Sequence, residues 1–374
     1  MIRVFEPWIS FPNILEVNKA LFQKQISGSS SYVSKFEEKF SNKIGMSYGV
    51  AVSNGSVALD LAMQTLELNE DDEVILPSFS IISCLTSIIR AGVKPVFADV
   101  DINTWNISLS QIKKLKTSKT KAVLVVHTYG LPAEIDKIQK YCSENNLILI
   151  EDTAEAHGIK VNNKFCGSFS DLSTFSFYAN KHVTSGEGGI VLTNNENTYH
   201  KLIKMRNLDF DNKRRFVHDN FYWNYRISGL QAALAYSQID SVDKIIKKKQ
   251  QQGTYYNSLL SGNKDLNIPE KNYEGVENNY WVYGIVLKNS GIRDALMTSL
   301  YKKGIETRPF FWPLHLQPAY LSKYRSDKVS LPNAEKLGND GLYLPMGAHI
   351  KKNTQKFIVN SLESSLKEIK LSAK

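Results

Sequence analysis

Short apolar runs alternate with amphipathic segments between residues 48 and 195, and this alternation limits the fold more than any other feature of the sequence. The amphipathic segments include 56–65, 81–91 and 134–145, where apolar residues recur at roughly helical spacing. Strands that alternate with helices indicate an α/β fold, a mostly parallel sheet with helices on both faces. The apolar runs that we predict to be strands are 48–53, 73–76, 95–99, 122–127, 147–152, 174–177 and 189–193.

The pattern changes towards the C-terminus. Apolar residues at helical spacing predict one long helix from Ser228 to about Tyr255. A polar stretch follows this helix. After it we predict a strand at 280–287, a helix around 292–302 and a terminal helix near 354–369. We therefore expect a large α/β domain over residues 1–240 and a smaller C-terminal α+β domain over residues 241–374.

Composition and charge exclude several classes of protein. With 42% hydrophobic and 22% charged residues, the chain has the composition of a globular protein and not of a disordered one. The net charge of +9 comes mostly from scattered lysines, and the densest run, 244–249, is typical of a solvated helix face. We expect no nucleic-acid partner, whereas an anionic small substrate would suit the charge.

The cysteines and the N-terminus predict a cytoplasmic, soluble protein. Cys84, Cys142 and Cys166 have no paired spacing, which argues against a disulfide framework or a cysteine-rich metal site. The N-terminal MIRVFEPWISF lacks the pattern of a signal peptide. No stretch approaches the roughly 20 apolar residues of a membrane span, so no membrane partner is expected.

Polar residues follow several of the predicted strands. Ser53-Asn54-Gly55-Ser56 follows the first strand, Asp152 ends the run 147–152, and Lys181 comes shortly after the run 174–177. In a parallel sheet, ligands bind at the carboxyl ends of the strands. Each feature also has an ordinary structural interpretation, namely a serine-capped helix, a carboxylate that caps a turn and a solvated loop lysine.

Together these residues match the needs of one cofactor, pyridoxal phosphate. It requires a lysine for its aldehyde, a carboxylate at its pyridine nitrogen and a cradle for its phosphate. The glycine turn that opens a helix, with Ser56 near the cap, is a candidate cradle because amide groups there bind phosphate. The glycine run 186–189 is not a dinucleotide fingerprint, since it lacks the G-x-G-x-x-G spacing.

The stretch around Lys181 also carries a specific resemblance. Residues 151–193 (EDTAEAHG…GSFSDLSTFSFYANKHVTSGEGGIVLT) strongly resemble the DegT/DnrJ/StrS family of sugar aminotransferases. The resemblance implies the aspartate aminotransferase fold, fold type I of the pyridoxal-phosphate-dependent transferases. Further matches along nearly the whole chain lie at 32–37, 53–59, 77–80, 126–130, 224–226, 231–233, 307–309 and 313–315.

The resemblance implies roles for individual residues. Lys181 would form the Schiff base with pyridoxal phosphate and move protons, and Asp152 would pair with the pyridine nitrogen. Because family sites are built across a subunit interface, an obligate homodimer is implied. The residues that would hold the phosphate are Gly55, Ser56, Ser176 and, from the neighbouring subunit, Asn224.

Two positions depart from the family pattern. Glu155 stands where many members have a glutamine that supports the phenolic oxygen of the cofactor, although some members also have Glu there. This Glu155 would need a proton or would bind a different group. Ile81 replaces an aromatic ring that stacks on the cofactor, so apolar packing or His157 would have to cover that face.

The resemblance implies amination of a nucleotide-linked 4-keto-6-deoxy sugar, with GDP-4-keto-6-deoxymannose preferred and L-glutamate as the amino donor. UDP- or dTDP-linked sugars and amination at C3 remain alternatives. Lys181 favours transamination over dehydration, because related dehydratases have His at that position. A non-catalytic regulator is disfavoured, since it would need no reactive amine. The residues that would meet the diphosphate or the sugar are His157, Arg226, Arg308 and His315, with a structural role open for each.

Overall fold

The computed structural model describes residues 1–210, 214–324 and 329–372. The helices of this part are α1 (Phe11–Phe22), α2 (Ser31–Ile44), α3 (Gly55–Gln64), α4 (Ile82–Arg90), α5 (Leu109–Leu115), α6 (Ile135–Glu144), α7 (Glu196–Arg206), α8 (Gly229–Gln238), α9 (Val242–Leu260), α10 (Arg293–Lys302), α11 (Pro318–Lys323), α12 (Pro332–Asp340) and α13 (Lys352–Ser372). The strands are β1 (Tyr48–Val52), β2 (Glu73–Pro77), β3 (Lys94–Ala98), β4 (Thr120–Val126), β5 (Ile148–Asp152), β6 (Lys160–Val161), β7 (Lys164–Phe165), β8 (Leu172–Ser176), β9 (Gly189–Thr193), β10 (Leu266–Asn267), β11 (Asn272–Tyr273), β12 (Val276–Glu277), β13 (Tyr283–Leu287), β14 (Arg308–Pro309) and β15 (Gly341–Leu344).

The main sheet contains the predicted strands in the order β1-β9-β8-β5-β4-β2-β3. Strand β9 is antiparallel to both of its neighbours, and the other pairings, from β8 through to β3, are parallel. Alternate residues of a strand face opposite sides, so Leu124 of β4 packs with α3 and α4 while Val123 and Val125 pack with α5 and α6. The prediction of a mostly parallel sheet covered on both faces is confirmed.

The predicted long helix is wrong in one respect, because it is interrupted. Helix α8 begins after a capping box in which Ser228 and Gln231 satisfy each other's backbone amides. It ends at Gln238, and a 3₁₀ turn over Ile239–Ser241 leads into α9, which continues to Leu260. The buried Gln238 side chain fixes this junction, accepting a hydrogen bond from the Thr184 amide at 2.9 Å and donating one to the Trp8 carbonyl at 3.2 Å.

The C-terminal part is built on a second, antiparallel sheet in the order β10-β13-β15-β14. Its core includes Tyr256 of α9, Leu296 of α10 and Leu362 of α13. The predicted smaller α+β unit is therefore present. The first residues of the chain also join this unit, since Ile2 pairs with Ile305. The boundary at residue 240 stays a prediction.

Among the described residues, no helix combines the length and the apolar character that a membrane crossing requires.

Candidate active site

A pocket of ≈ 450 Å³ opens at the carboxyl ends of β1, β5 and β8. We call it the Lys181 pocket. It brings together residues that the sequence analysis selected from four separate segments. Those residues are Gly55, Ser56, Ile81, Asp152, Glu155, Ser176 and Lys181.

One wall of the Lys181 pocket is the N-terminus of α3. Asn54 is the N-cap, and its side chain accepts a hydrogen bond from the Val57 amide at 3.0 Å. Ser56 is therefore in the first turn, near the cap as the sequence suggested. The first-turn amides of a helix lack intrahelical acceptors and bind anions well. A Cβ on Gly55 would lie 2.8 Å from the Ser176 Cβ, so only glycine fits where the two segments meet.

Asp152 ends β5 at the floor of the pocket and is 3% exposed. One carboxylate oxygen accepts a hydrogen bond from the Ala154 amide at 3.0 Å, and the other accepts one from the Cys84 thiol at 3.3 Å. Burial raises the pKa of Asp152, while the Ala154 amide and the charge of Lys181 oppose that rise. Sequence reasoning missed Cys84, because it lies on α4, far along the chain from Asp152.

Lys181 is held in a desolvated position. Its side chain is 9% exposed, and its Nζ lies 3.7 Å from Glu155 Oε1 and 3.6 Å from the centre of the Trp281 ring. Trp281 is itself fixed by a hydrogen bond of 3.1 Å from its Nε1 to the Asn180 carbonyl. Burial lowers the pKa of the Lys181 amine, against the opposing effect of Glu155 and Asp152. A lowered pKa favours the neutral, nucleophilic amine.

Glu155 is the acid nearest to Lys181. Burial raises the pKa of Glu155 to about 7, and the charge of Lys181 and a 2.9 Å hydrogen bond from the Tyr129 amide oppose this rise. A carboxyl group with this pKa exchanges its proton near neutral pH. The departure from glutamine thus leaves a side chain that both donates and accepts hydrogen bonds in the pocket.

The position usually occupied by an aromatic ring is apolar here. Ile81 precedes α4 at the edge of the Lys181 pocket and is 39% exposed. Aromatic surface comes from other segments of the chain, because Trp281, Phe311 and Tyr343 also line the pocket.

His157 does not lie where the sequence-based interpretation put it. It is 2% exposed, packs against Phe40, Phe175 and Phe177, and does not line the Lys181 pocket. Its Nε2 lies 3.0 Å from the Ser176 carbonyl oxygen, which makes it a buried donor that supports β8. The proposed role of His157 in covering the cofactor is therefore wrong for this chain's own pocket.

The other three candidate substrate residues also lie outside the Lys181 pocket of the same chain. His315 is buried, with Nδ1 2.6 Å from Ser78 Oγ and Nε2 3.3 Å from Glu335, so it fixes the loop before α11. Arg308 is exposed and pairs with Glu306 at 2.8 Å. Arg226, together with Arg206 and Arg215, lines a separate opening. The exposed Asn224 is two residues before Arg226.

A buried cluster of His127, Glu151 and Cys166 has the composition of a metal site, with ligand atoms within 4.8 Å of one another. Two of its three groups, the carboxylate and the imidazole, already have partners, however. Glu151 lies 2.9 Å from His127 Nε2 and accepts hydrogen bonds from three further donors, two backbone amides and a serine hydroxyl. His127 Nδ1 accepts the Ala133 amide at 3.1 Å. The cluster is a structural network beneath the site.

Pyridoxal phosphate fits the residues of the Lys181 pocket. The pocket offers a helix N-terminus with a tight glycine, a buried carboxylate, and a desolvated amine. In addition, the Asn180 Oδ1 atom is buried and has no hydrogen-bond partner among the described residues, and Asn180 lines the same pocket. An unpaired buried acceptor needs a donor from a bound molecule or water.

Similarity to known proteins agrees with a pyridoxal phosphate site. Residues 11–363 match the DegT/DnrJ/EryC1/StrS aminotransferase family. The chain is 36% identical to a GDP-perosamine synthase of Vibrio cholerae over 97% of this chain and 99% of that protein. Its structure superposes on an aminotransferase of Streptoalloteichus hindustanus with a TM-score of 0.92 and 26% identity, covering 99% and 100% of the two chains. A mutant GDP-4-keto-6-deoxymannose-3-dehydratase solved with bound GDP-perosamine matches with a TM-score of 0.89 and 25% identity, over 97% and 100%.

These matches confirm the resemblance in the sequence, the fold type I architecture and pyridoxal phosphate as the cofactor. They are nearly full-length, so they cover both the main sheet and the C-terminal unit. The chain belongs to the DegT/DnrJ/EryC1/StrS aminotransferase family.

Proposed function

We propose that the enzyme transfers the amino group of L-glutamate to GDP-4-keto-6-deoxymannose and produces GDP-perosamine. The observation that carries this proposal is the presence of Lys181, Asp152 and the α3 cradle in one pocket of a chain that is 36% identical to a GDP-perosamine synthase along its length. A GDP-perosamine complex of a dehydratase with a TM-score of 0.89 to this chain supports the choice of ligand.

Bound pyridoxal phosphate supplies an aldehyde that accepts the amino group and a pyridine ring that withdraws electrons. We assign the phosphate to Gly55 and Ser56 at the N-terminus of α3 and to Ser176 at the end of β8, where helix amides and hydroxyls favour an anion. Asp152 would hold the ring nitrogen in its protonated form. Its buried carboxylate, supported by the Cys84 thiol, is suited to accept that proton's hydrogen bond.

Lys181 would bind the aldehyde and then act as general base and general acid. Its low exposure excludes water, and its lowered pKa keeps a neutral amine available. Glu155, 3.7 Å away, would hold or release a proton beside this amine. Trp281 packs on Lys181 and limits the positions of Nζ.

Lys181 also distinguishes transamination from dehydration. The similarity to a dehydratase shows that the fold alone does not decide between the two reactions. The amine at position 181 favours amino-group transfer, since it can bind the aldehyde as well as move the proton.

We further propose a homodimer in which each subunit completes the site of the other. Asn224 and Arg226 do not line their own Lys181 pocket. Large apolar side chains that precede them in the chain are exposed to solvent in the single chain, with Phe216 at 78% and Trp223 at 68%. Exposed apolar patches of this kind are typical of subunit interfaces. In the dimer, Asn224 would reach the partner's phosphate and Arg226 the diphosphate of the nucleotide sugar.

We also propose that the enzyme works in the cytoplasm. Cys84, Cys142 and Cys166 are free thiols buried in the core, which suits a reducing compartment.

The proposed reaction is tested with ¹⁵N-labelled L-glutamate, the purified holoenzyme and three keto sugars linked to GDP, UDP or dTDP. We expect mass spectrometry to find the label in the GDP-linked amino sugar. At equal concentration, the GDP-linked sugar should also raise the melting temperature more than the UDP- and dTDP-linked sugars, because a tighter ligand stabilises the folded protein more. Labelled product from UDP- or dTDP-linked sugar alone would reject the GDP assignment, and loss of a hydroxyl without label would indicate a dehydratase.

A further inference from the structure

A second cavity, of ≈ 240 Å³, lies on the other side of Lys181. Its walls are the N-terminal segment, one face of α9 and the beginning of α13. Like the Lys181 pocket, it is lined by Asn180 and Lys181. We call it the lysine cavity, after the further lysines that line it, Lys248, Lys249 and Lys352.

The described residues that line the lysine cavity include Lys181 and three further lysines but one carboxylate, Glu6. Among the described residues, Lys248, Lys249 and Lys352 form no ion pair. Lys248 Nζ lies 3.8 Å from the centre of the Trp8 ring. The Glu6 carboxylate lies near two basic groups that do not line the cavity, at 3.9 Å from Arg3 and 4.0 Å from His349. A concave surface lined by one sign of charge attracts ions of the other sign.

Lys249 is the most desolvated of these three lysines. Its Nζ donates a 2.7 Å hydrogen bond to the carbonyl of Trp281, the residue whose ring packs on Lys181. Burial, together with the charge of Lys181, lowers the pKa of Lys249 to about 7. An ammonium group in this position lacks a counter-ion, and an anion in the lysine cavity would supply one.

The Lys181 pocket has the opposite character. The charged residues that line it are Asp152, Glu155, Glu187 and Lys181, so carboxylates outnumber amines. Apart from the anion site at the N-terminus of α3, this lining offers no cation besides Lys181 to a second carboxylate of an amino donor. Because Lys181 borders both cavities, a donor whose amino group takes the place of the Lys181 amine can place a carboxylate in the lysine cavity.

We propose that the lysine cavity binds a carboxylate of the dicarboxylate amino donor and of its 2-oxo product, with Lys249 as the main contact. This inference rests on the proposed function for the identity of the donor. The volume of the cavity equals that of roughly eight water molecules at about 30 Å³ each, which suits a short carboxylate chain and not a nucleotide sugar.

The test measures binding of succinate, an unreactive dicarboxylate, to the holoenzyme by calorimetry. We expect Lys249→Met to raise the dissociation constant at least about tenfold, equivalent to 1.4 kcal/mol. Lys249→Arg keeps the charge and should retain most of the affinity. Lys247→Met is the matched control, since Lys247 is an exposed lysine of the same helix that does not line the cavity.

Two further measurements make the outcome decisive. Lys248→Met and Lys352→Met alter other walls of the cavity, and each should weaken succinate binding even where Lys249→Met fails to fold. Succinate affinity that is unchanged in all the Met variants overturns the proposal, as does sulfate binding as tightly as succinate with the same dependence on Lys249. Succinate binding does not require turnover, so a wrong sugar assignment would leave these results intact and would instead appear as absent labelled product.

Discussion

At the scale of single residues, we expect Glu155 to make the stability of the protein depend on pH. Burial raises its pKa from 4.5 to about 7 in the folded protein. Between these values the folded state binds more protons than the unfolded state, so stability is lost as the pH rises through 7.

We therefore expect the cofactor-free protein to lose on the order of 1–3 kcal/mol of unfolding free energy between pH 5 and pH 8 relative to Glu155→Gln. The neutral amide cannot ionise, which removes this dependence. Urea unfolding at several pH values measures the difference. Parallel stability curves for the two proteins would contradict this prediction, because they would mean that Glu155 has the same pKa in the folded and the unfolded state.

Gly55 sets the shape of the phosphate cradle. A Cβ at this position would lie 2.8 Å from the Ser176 Cβ, closer than real side-chain contacts allow. Gly55→Ala should therefore push α3 away from Ser176 and raise the dissociation constant for pyridoxal phosphate at least about tenfold, about 1.4 kcal/mol. Spectroscopic titration of the cofactor-free variant measures this constant. If the variant binds pyridoxal phosphate as tightly as the wild type does, the phosphate does not bind at Gly55.

At the scale of secondary-structure elements, the packing of α9 against Tyr280 connects the helix to the site. A Cβ on Gly253 of α9 would lie 2.6 Å from the ring of Tyr280, which is fully buried and precedes Trp281. Alanine normally favours a helix over glycine by about 1 kcal/mol. At Gly253, the free-energy cost of packing an extra methyl group against Tyr280 should exceed this gain in helix stability.

We expect Gly253→Ala to destabilise the protein by about 1–2 kcal/mol in urea unfolding. Gly262→Ala is the control, because nothing lies within 4 Å of the added Cβ, and its stability should change by less than about 0.5 kcal/mol. A stabilised Gly253→Ala variant would mean that the helix moves away from Tyr280 at little cost.

Much of the architecture follows from local sequence patterns. The strands of the main sheet lie within two residues of their predicted bounds, since each apolar run is bordered by polar turns. The break between α8 and α9 was missed because the apolar spacing continues through it, whereas a distant contact of Gln238 fixes the junction. A tertiary contact of this kind leaves no local signal.

Local sequence patterns likewise predict some residues of the candidate site and miss others. Lys181, Asp152 and Gly55 became candidates because each lies at or after the end of a strand at the same edge of the sheet, and the resemblance to the family then implied their roles. Trp281 and Cys84 were missed, since they come from distant segments and meet the site only after folding. The wrong placement of His157 has a similar cause, because sequence alone does not tell which side of the β5–β8 connection faces the pocket.

At the scale of the whole molecule, shared sites should allow two inactive variants to complement each other. Lys181→Ala removes the amine, and Asn224→Asp should place a negative charge at the partner's phosphate. Each variant alone should be nearly inactive. In an equal mixture half of the dimers are mixed, and each mixed dimer has one intact site, so about a quarter of the wild-type activity should return.

The control mixture is Lys181→Ala with Asp152→Ala. Both residues line the pocket of the same chain, so every site in a mixed dimer lacks one of them and activity should stay absent. Refolding the subunits together before the assay ensures exchange. Equal recovery in both mixtures, or recovery in neither, would contradict a site completed by Asn224 of the neighbouring subunit.

The central claim is that Lys181 is the lysine that holds the cofactor. Borohydride reduction fixes pyridoxal phosphate permanently on the amine that carries it, and peptide mass spectrometry then identifies that lysine. Lys249 is an internal comparison, because it also has a lowered pKa and lines the lysine cavity behind Lys181. We expect the phosphopyridoxyl group on Lys181 alone. The group on Lys249 or another lysine, or an active enzyme with no labelled lysine, would contradict this assignment.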